Sequence, residues 1–385
     1  MNSTKIYLDN AATTHPKPEE VYLAADRVFR QGGSPGRSAH ELALLASRQV
    51  FECRVKLAQF LKVKNPERLV FTPGCTYGIN MVLQRFPFAQ GDLVLVSALE
   101  HNAVMRCLDH LRREKGIIVE QVPYKEGTIL DPQLLKSLLE QKKPRLCAFL
   151  EASNVTGEML DLRSVATICH QAQVPLLVDA AQSAGAFHES LDLEGISFWS
   201  APAHKGLYGM AGLGILYVSP LASLDPLISG GTGSFSEGLD MPPAFPDRLE
   251  PGTLSAVAIA ALSAGVDFVS AKGRDYLAEH ERILCSSLID FLSAFSRIKY
   301  YAKIERRVGL LSFFVDGLDS GYVAQVLDQQ YGICVRAGLH CAASAHRTLG
   351  TLNGGLVRVS FSAFNTKEEL NVLFNALEQI VEASK

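Results

Sequence analysis

The sequence predicts an α/β fold with a mostly parallel, seven-stranded sheet in a large domain, followed by a smaller α+β domain. Short β-branched and apolar runs alternate with longer helical patterns as far as Val218, which is typical of β-α-β units. After the glycine-rich segment Gly230–Ser234 this alternation stops and the composition changes. We therefore expect two structural units of different size.

The elements of the large domain follow from hydrophobic periodicity. Apolar positions at three- and four-residue steps between Leu42 and Phe60 mark one face of a long helix. Further helical patterns fill 101–115, 131–142 and 161–173. The predicted strands are 69–71, 93–97, 117–122, 146–150, 176–179, 196–200 and 214–218.

The carboxyl-terminal part has a different pattern. A proline-rich stretch at 241–251 predicts a loop, and a helix follows through 254–271. Strands are expected near 309–315, 333–336 and 356–361, with a closing helix at 366–383. We assign 19–272 to the large domain, and 1–18 with 273–385 to the small one.

Composition excludes several classes of protein. The chain has 385 residues, a net charge of −3 and no block of basic residues, so it carries no sign of a nucleic-acid or anionic-membrane surface. Its start lacks a signal-peptide pattern, and no apolar run reaches the ~18 residues of a membrane span. Eight scattered cysteines without a Cys-x-x-Cys pair argue against a metal knuckle or disulfide framework. We expect a cytoplasmic enzyme.

Lys205 and Asp179 suggest a specific chemistry. Asp179 ends a predicted buried strand, and Lys205 follows the next strand within Ala203-His204-Lys205-Gly206. A lysine that forms a Schiff base with pyridoxal phosphate (PLP) needs a carboxylate to keep the pyridine nitrogen protonated. The alternative is a surface lysine and an unrelated helix-capping aspartate.

Three further segments place polar residues at strand ends, where open α/β sheets bind ligands. Thr76 follows a Pro-Gly turn at a helix start, which suits a phosphate but also fits a plain helix cap. His101 follows a predicted strand and could stack on a ring, carry a proton, or have no role. Asn154 could bind a substrate or simply form a turn.

Two residues of the small domain complete the candidate site. Strand alternation puts Arg358 on one face with Leu356 and Ser360, where it could hold a carboxylate bidentately or face solvent. Cys341 lies in a loop with basic residues on both sides, Arg336 and His346. Such surroundings favour the thiolate, which is the nucleophilic form of cysteine.

Together these segments resemble the fold-type I, PLP-dependent cysteine desulfurases of the class V aminotransferase superfamily, in particular the branch with a short Arg-x-Gly-x-His-Cys loop. The resemblance runs nearly end to end. It is carried by Tyr7–Thr14, Glu100–Ala103, Asn154–Gly157, Asp179–Gly185, His204-Lys205, Gly230–Ser234, Pro251–Thr253, Arg336–Cys341 and Val357–Ser360.

The resemblance implies roles at the matched positions. Lys205 would bind PLP and carry the proton, Asp179 would pair with the pyridinium nitrogen, and His101 would stack on the ring. Cys341 would take sulfur from L-cysteine as a persulfide, leaving L-alanine, and pass it to a protein acceptor. The other implied contacts are Gln182 at the ring oxygen; Thr76, Cys75, Ser200 and His204 at the phosphate, with Thr253 from the second subunit of a homodimer; and Arg358, Asn154, Asn10 and Ala12 at the substrate carboxylate.

Departures from the family pattern and alternative functions remain. Cys75 stands where a second hydroxyl is common, Gly209-Met-Ala211 replaces a Gly-Pro, and Ala342–Ser344 lacks a usual proline, which suggests a mobile loop. A selenocysteine lyase could share the whole site, whereas an aminotransferase or epimerase needs Lys205 but not Cys341. A non-catalytic scaffold would need neither. The sulfur acceptor and the pathway, such as iron–sulfur cluster biosynthesis, stay open.

Overall fold

The protein is described by a computed structural model that covers residues 5–36, 38–125, 127–234, 236–301 and 306–383. Its large sheet has seven strands, which agree with the predicted positions to within one or two residues at most ends. They are β2 (Leu69–Thr72), β3 (Leu93–Val96), β4 (Ile118–Gln121), β5 (Leu146–Leu150), β6 (Leu176–Asp179), β7 (Phe198–Pro202) and β8 (Gly214–Val218). A short strand, β1 (Ile6–Tyr7), precedes them outside this sheet.

The sheet has the order β2-β8-β7-β6-β5-β3-β4, and only β8 runs antiparallel to its neighbours. Every residue of β5, β6, β7 and β8 is buried, because helices cover both faces of the sheet. This burial explains why the strands are continuous apolar runs in the sequence. The predicted mostly parallel, seven-stranded sheet is confirmed.

Helices connect the strands and pack on both faces. The helix predicted between Leu42 and Phe60 spans Glu41–Leu61, and its N-cap is His40, whose Nδ1 accepts a hydrogen bond from the Ala43 amide. The helices of this part are α1 (Glu19–Gln31), α2 (Glu41–Leu61), α3 (Cys75–Arg85), α4 (Asn102–Lys115), α5 (Pro132–Lys142), α6 (Leu162–Gln171) and α7 (Ala256–Lys272).

The carboxyl-terminal part contains a four-stranded antiparallel sheet of order β12-β13-β10-β9. Its strands are β9 (Ile298–Tyr300), β10 (Leu310–Val315), β12 (Arg336–Gly338) and β13 (Leu356–Ser360). The helices of this part are α8 (Arg274–Ser293), α9 (Ser320–Tyr331), α10 (Ala343–Leu349) and α11 (Lys367–Ala383).

The single strand predicted near 333–336 is wrong in detail. Ile333–Cys334 forms β11, which pairs in parallel with β1, whereas Arg336 begins β12 in the other sheet. The chain changes sheets within a few residues, and hydrophobic periodicity carries no signal for such a change. The proposed domain ranges stay a prediction, to which the pairing of β1 with β11 lends support because it joins the amino terminus to the small domain.

Within the described part of the chain, no single helix is long and apolar enough to cross a membrane. Only α7 and α8 taken together have the length and composition of a membrane span, and the pair is bent by 81° at the break between them.

Candidate active site

A cavity of about 660 Å³ lies at the carboxyl ends of the parallel strands. Residues from the ends of β5, β6 and β7 form its floor, and the first turns of α3 and α4 form its walls. The predicted site residues that line it are Cys75, Thr76, His101, Asn154, Asp179, Gln182, His204 and Lys205. Five separate segments of the chain therefore meet in one place.

Asp179 and Lys205 lie in this cavity because β6 and β7 are adjacent parallel strands. Asp179 is the last residue of β6, and its Oδ1 accepts a hydrogen bond of 2.9 Å from the Ala181 amide. Lys205 follows β7 and reaches the same space. Gly206 allows the lysine turn to pack closely, since a Cβ there would lie 2.3 Å from the Ala184 carbonyl oxygen.

The Lys205 amine has an unusually low basicity. Burial lowers its pKa to about 8, and the nearby Arg358 adds to this effect, whereas Asp179 opposes it. The side chain remains partly accessible because it faces the cavity. A substantial neutral fraction of this amine is therefore present near physiological pH, as covalent attachment to a carbonyl requires.

The start of α3 and the residue before Lys205 form a pocket suited to a phosphate. Gly74 precedes α3 with a φ of +151°, and no side chain caps the helix, so its first amides face the cavity beside the Thr76 hydroxyl. His204 adds a buried Nδ1 that has no hydrogen-bond partner among the described residues. Burial lowers the pKa of His204 to about 4, so this ring is neutral.

Ser200 does not reach this pocket, which corrects the prediction that it holds a phosphate. Strand β7 continues to Pro202, so Ser200 lies within the sheet and is fully buried, and Pro202 lines the cavity instead. The Ser200 hydroxyl donates to the backbone carbonyls of Cys75, at 3.3 Å, and Ile215, at 3.2 Å. It therefore fastens the start of α3 to the sheet.

His101 caps α4 and faces the cavity. Its Nδ1 accepts a hydrogen bond of 3.0 Å from the Ala103 amide, which fixes the ring orientation. Burial lowers the pKa of His101, while the charge of Asp179 opposes this shift. The ring is thus available as a neutral, oriented aromatic group above the strand ends.

Arg358 is nearly fully buried, with 1 % of its surface exposed. Its Nη2 donates to Asp9 Oδ1 at 3.0 Å, its Nη1 donates to the Asn154 carbonyl oxygen at 3.0 Å, and its Nε has no partner among the described residues. Arg336 stands directly opposite Arg358 on the neighbouring strand β12. The solvent-facing alternative for Arg358 is therefore wrong.

The Asn10 side chain does not line this cavity but a smaller one that shares Gln182 and Lys205 with it, so its assignment as a substrate contact stays a prediction. Its amide nitrogen donates to the Ser360 carbonyl at 3.0 Å and to Asn365 Oδ1 at 3.1 Å, and its Oδ1 accepts from the His15 amide. These bonds hold the amino-terminal segment on β13. Ala12 also lies off the cavity, with its amide bonded to the Asp9 carbonyl.

Cys341 is exposed and lies beside the mouth of the cavity. It lines an outer groove of about 350 Å³ that shares Thr76 and His101 with the main cavity. Arg336 Nη2 lies 3.4 Å from the Cys341 sulfur. His346, the other basic flank in the sequence, is buried and bonded to Thr351, so it places no charge next to the thiol.

The loop that carries Cys341 is firmly attached. Asn154 Nδ2 donates to the His340 carbonyl at 2.7 Å, and the Asn102 amide donates to the Cys341 carbonyl at 2.8 Å. His340 and Cys341 both have positive φ angles, +47° and +58°, which make the turn compact. These contacts argue against the mobile loop that the missing proline suggested.

Several residues of the site were not predicted from the sequence. Asp9 was part of a matched motif, but only the fold reveals its ion pair with Arg358. Lys17 donates to the His204 carbonyl at 2.7 Å, and burial lowers its pKa to about 8. Tyr77, Asn80 and Gln84 line the cavity from α3 at helical spacing, a signal that could have been found once Thr76 was placed.

The cavity fits PLP. It offers a lysine amine, a carboxylate, an oriented aromatic ring and a phosphate pocket in which His204 Nδ1 has no partner among the described residues. This combination on a doubly wound α/β sheet defines a PLP-dependent enzyme.

Comparison with known proteins identifies the group more closely. The family profile described as aminotransferase class-V matches residues 6–373, and the chain belongs to this family. A probable cysteine desulfurase of Methanothermobacter thermautotrophicus is 35% identical over 97% of this chain and 94% of its own length. The cysteine desulfurase of Cronobacter sakazakii is 33% identical over 97% and 93%.

Solved structures agree with this placement. The apo cysteine desulfurase of Thermococcus onnurineus has a TM-score of 0.92 and 27% identity, with 98% of this chain and 95% of that chain covered. A cysteine desulfurase of Escherichia coli in the S-sulfonic acid form has a TM-score of 0.88 and 29% identity, with 98% and 95% covered. The predicted fold class, enzyme class and cofactor are confirmed, and the relatives place the chain among the cysteine desulfurases.

Proposed function

We propose that this chain cleaves the carbon–sulfur bond of L-cysteine and transfers the sulfur to Cys341. L-Cysteine and the Cys341 thiol give L-alanine and a Cys341 persulfide, so that one C–S bond breaks and one S–S bond forms. The observation that carries the proposal is the meeting of Lys205 and Asp179 in one cavity with an exposed cysteine at its mouth. PLP, when bound, supplies the electron sink for charge that develops at the substrate.

The chain's own residues divide the remaining tasks. Lys205 holds the cofactor and moves the substrate α-proton, since burial leaves its amine close to half protonated near pH 8. Asp179 would keep the ring nitrogen of the bound cofactor protonated, and His101 would offer its ring for stacking. Gln182 would bind the ring oxygen, while Thr76, His204 and the first amides of α3 would hold the phosphate.

Arg358 and Arg336 form the substrate carboxylate site in this proposal. Two guanidinium groups directly opposite each other on neighbouring strands repel each other, and the only carboxylate bonded to either among the described residues is Asp9. This arrangement leaves excess positive charge between the buried Arg358 and the half-buried Arg336. A bound amino-acid carboxylate relieves it, and Asn154, which bonds Arg358 through its carbonyl and the nucleophile loop through its amide, sets the distance between them.

We predict that Arg358→Lys raises the KM for L-cysteine by roughly 10- to 100-fold, as expected when one charge-assisted, bidentate contact is lost. Steady-state alanine formation measures this, and the cofactor absorption should stay unchanged. Arg336→Lys serves as the matched comparison on the adjacent strand. If the KM changes only in the Arg336 variant, Arg336 and not Arg358 binds the substrate carboxylate.

The persulfide on Cys341 is passed to a protein sulfur acceptor in this proposal. The sulfur lies in an open groove, so a partner's thiol reaches it without opening the cofactor cavity. All eight cysteines are free, which fits a reducing, cytoplasmic setting. The experiment that tests the function is incubation with L-cysteine and PLP, with alanine and sulfide quantified with and without reductant; L-selenocysteine in parallel tests the lyase alternative.

The proposal includes a homodimer with the site at the subunit junction. Thr253 is exposed and does not line the cavity of its own chain, so the phosphate contact that the family resemblance implies for this residue would be made across a subunit interface. Large apolar side chains also remain exposed on α1 and α2, among them Phe29 at 76 % and Phe51 at 66 %. Such residues mark interaction surfaces in water-exposed helices.

We predict that light scattering of the wild-type protein gives twice the chain mass. Phe51→Glu should produce monomers and weaken PLP retention, because an unpaired charge in an apolar interface is costly. Leu221→Glu, at an even more exposed apolar position away from α1 and α2, should remain dimeric. A fully active wild-type monomer at micromolar concentration contradicts the dimer.

A further inference from the structure

Cys75 occupies an unusual position in the cavity. It is the first residue of α3, is 8 % exposed and lines the cavity next to Thr76. Its sulfur faces Asp179 as well as the phosphate pocket. Sγ lies 3.6 Å from Asp179 Oδ1, the same oxygen that accepts the Ala181 amide.

The direction of this hydrogen bond follows from the surroundings. Burial and the charge of Asp179 raise the pKa of the Cys75 thiol well above its usual value, so the group stays protonated. The carboxylate oxygen is then the acceptor and the S–H group the donor. The Ser200 hydroxyl fixes the Cys75 backbone, so the thiol is held against Asp179 by the packing of α3 on the sheet.

We propose that Cys75 is a positioning residue that acts through Asp179 and tunes how strongly this carboxylate stabilises positive charge on the bound cofactor. The proposal rests on the proposed function, in which Asp179 faces the ring nitrogen. A donor on Oδ1 draws part of the negative charge of the carboxylate away from the ring. The residue thus adjusts the electron sink and leaves the phosphate to Thr76 and His204.

The separation makes this role specific to sulfur. Hydroxyl donors bond oxygen acceptors at about 2.5–3.0 Å, and the oxygen of a serine reaches less far than the cysteine sulfur. At the observed 3.6 Å, serine cannot make the same bond unless α3 moves. Cys75→Ser and Cys75→Ala should therefore behave alike, which is not expected of a position that needs only a polar side chain.

The test is a pH titration of the visible absorption of the PLP-loaded protein. Cys75→Ser and Cys75→Ala both lose the hydrogen bond to Asp179. The Asp179 carboxylate then keeps its full negative charge, which favours the cationic form of the cofactor. We expect the titration midpoint to rise in both by roughly half a pH unit, the scale of one weak hydrogen bond. Cys107→Ser, a similarly buried cysteine of α4 at 5 % exposure, should keep the wild-type midpoint.

The other outcomes overturn the proposal. An unchanged midpoint in both variants, with faster loss of PLP on dialysis, assigns Cys75 to the phosphate. A wild-type midpoint in Cys75→Ser with a shift only in Cys75→Ala shows that a hydroxyl suffices.

If the serine variant does not fold, Cys75→Thr, which keeps more side-chain volume, replaces it with the same expectation. Failure of the wild type to take up PLP defeats the proposed function as well, and is seen before any variant is compared.

Discussion

Lys205→Ala protein is expected to lose covalently bound PLP. It should also form alanine from L-cysteine about 10²–10⁴-fold more slowly, because proton transfer by Lys205 is lost. Of the cavity-lining residues, Lys205 has the amine adjacent to Asp179. The measurement is borohydride reduction of the wild-type protein with PLP, followed by peptide mapping. The modified peptide should contain Lys205, and the variant should give none.

Lys17 provides a demanding comparison for this prediction. Burial lowers the pKa of both lysines to about 8, so a low pKa alone does not distinguish them. Only Lys205 lines the cavity, whereas Lys17 points at the His204 carbonyl from outside. A modified peptide containing Lys17 would refute the assignment of Lys205.

The pH dependence of PLP uptake follows from the same pKa. Neutral amine is the reactive form, and the folded protein binds a proton on Lys205 less tightly than an ordinary lysine does. The rate of covalent PLP uptake by the apoprotein should therefore rise as the pH rises through about 8 and level off above it. An ordinary lysine would still gain rate towards pH 10.

Most of the large sheet and the chemical centre could be predicted from sequence because they depend on local patterns. Strands buried on both faces are apolar runs; Asp179 ends such a run, and His101 and Asn154 lie a few residues after β3 and β5. Parallel strands bring these ends to one edge whatever the details of the loops. The order of strands in the sheet did not have to be known.

The remaining errors arise from contacts that sequence spacing does not encode. The family resemblance assigned Ser200 to the phosphate, but β7 extends two residues further than predicted and buries this residue. Asn10 and Arg358 come from opposite ends of the chain, and their partners, Asn365 and Asp9, are set by how β13 meets the amino-terminal segment. Single-strand patterns do not reveal such long-range pairing.

The position of Cys341 separates a desulfurase from other PLP enzymes. A PLP-dependent aminotransferase or epimerase has no step for a protein thiol, whereas sulfur transfer needs a soft nucleophile at the substrate side. Here the thiol is exposed and lies beside Arg336. Its loop is held by hydrogen bonds from the Asn154 side chain to the His340 carbonyl and from the Asn102 amide to the Cys341 carbonyl. These contacts place it reproducibly at the mouth of the cavity.

Cys341→Ser is expected to bind PLP and L-cysteine with wild-type spectra, because Cys341 does not line the cofactor cavity. Sulfide release and protein-bound persulfide should fall by at least about 10³-fold, since loss of the nucleophile is among the costliest single changes in an enzyme. Cys334→Ser removes the other thiol that is not buried and should leave both unchanged. Mass spectrometry after L-cysteine treatment, without reductant, measures one added sulfur on Cys341. Wild-type sulfide release from Cys341→Ser would instead indicate a lyase that needs no protein nucleophile.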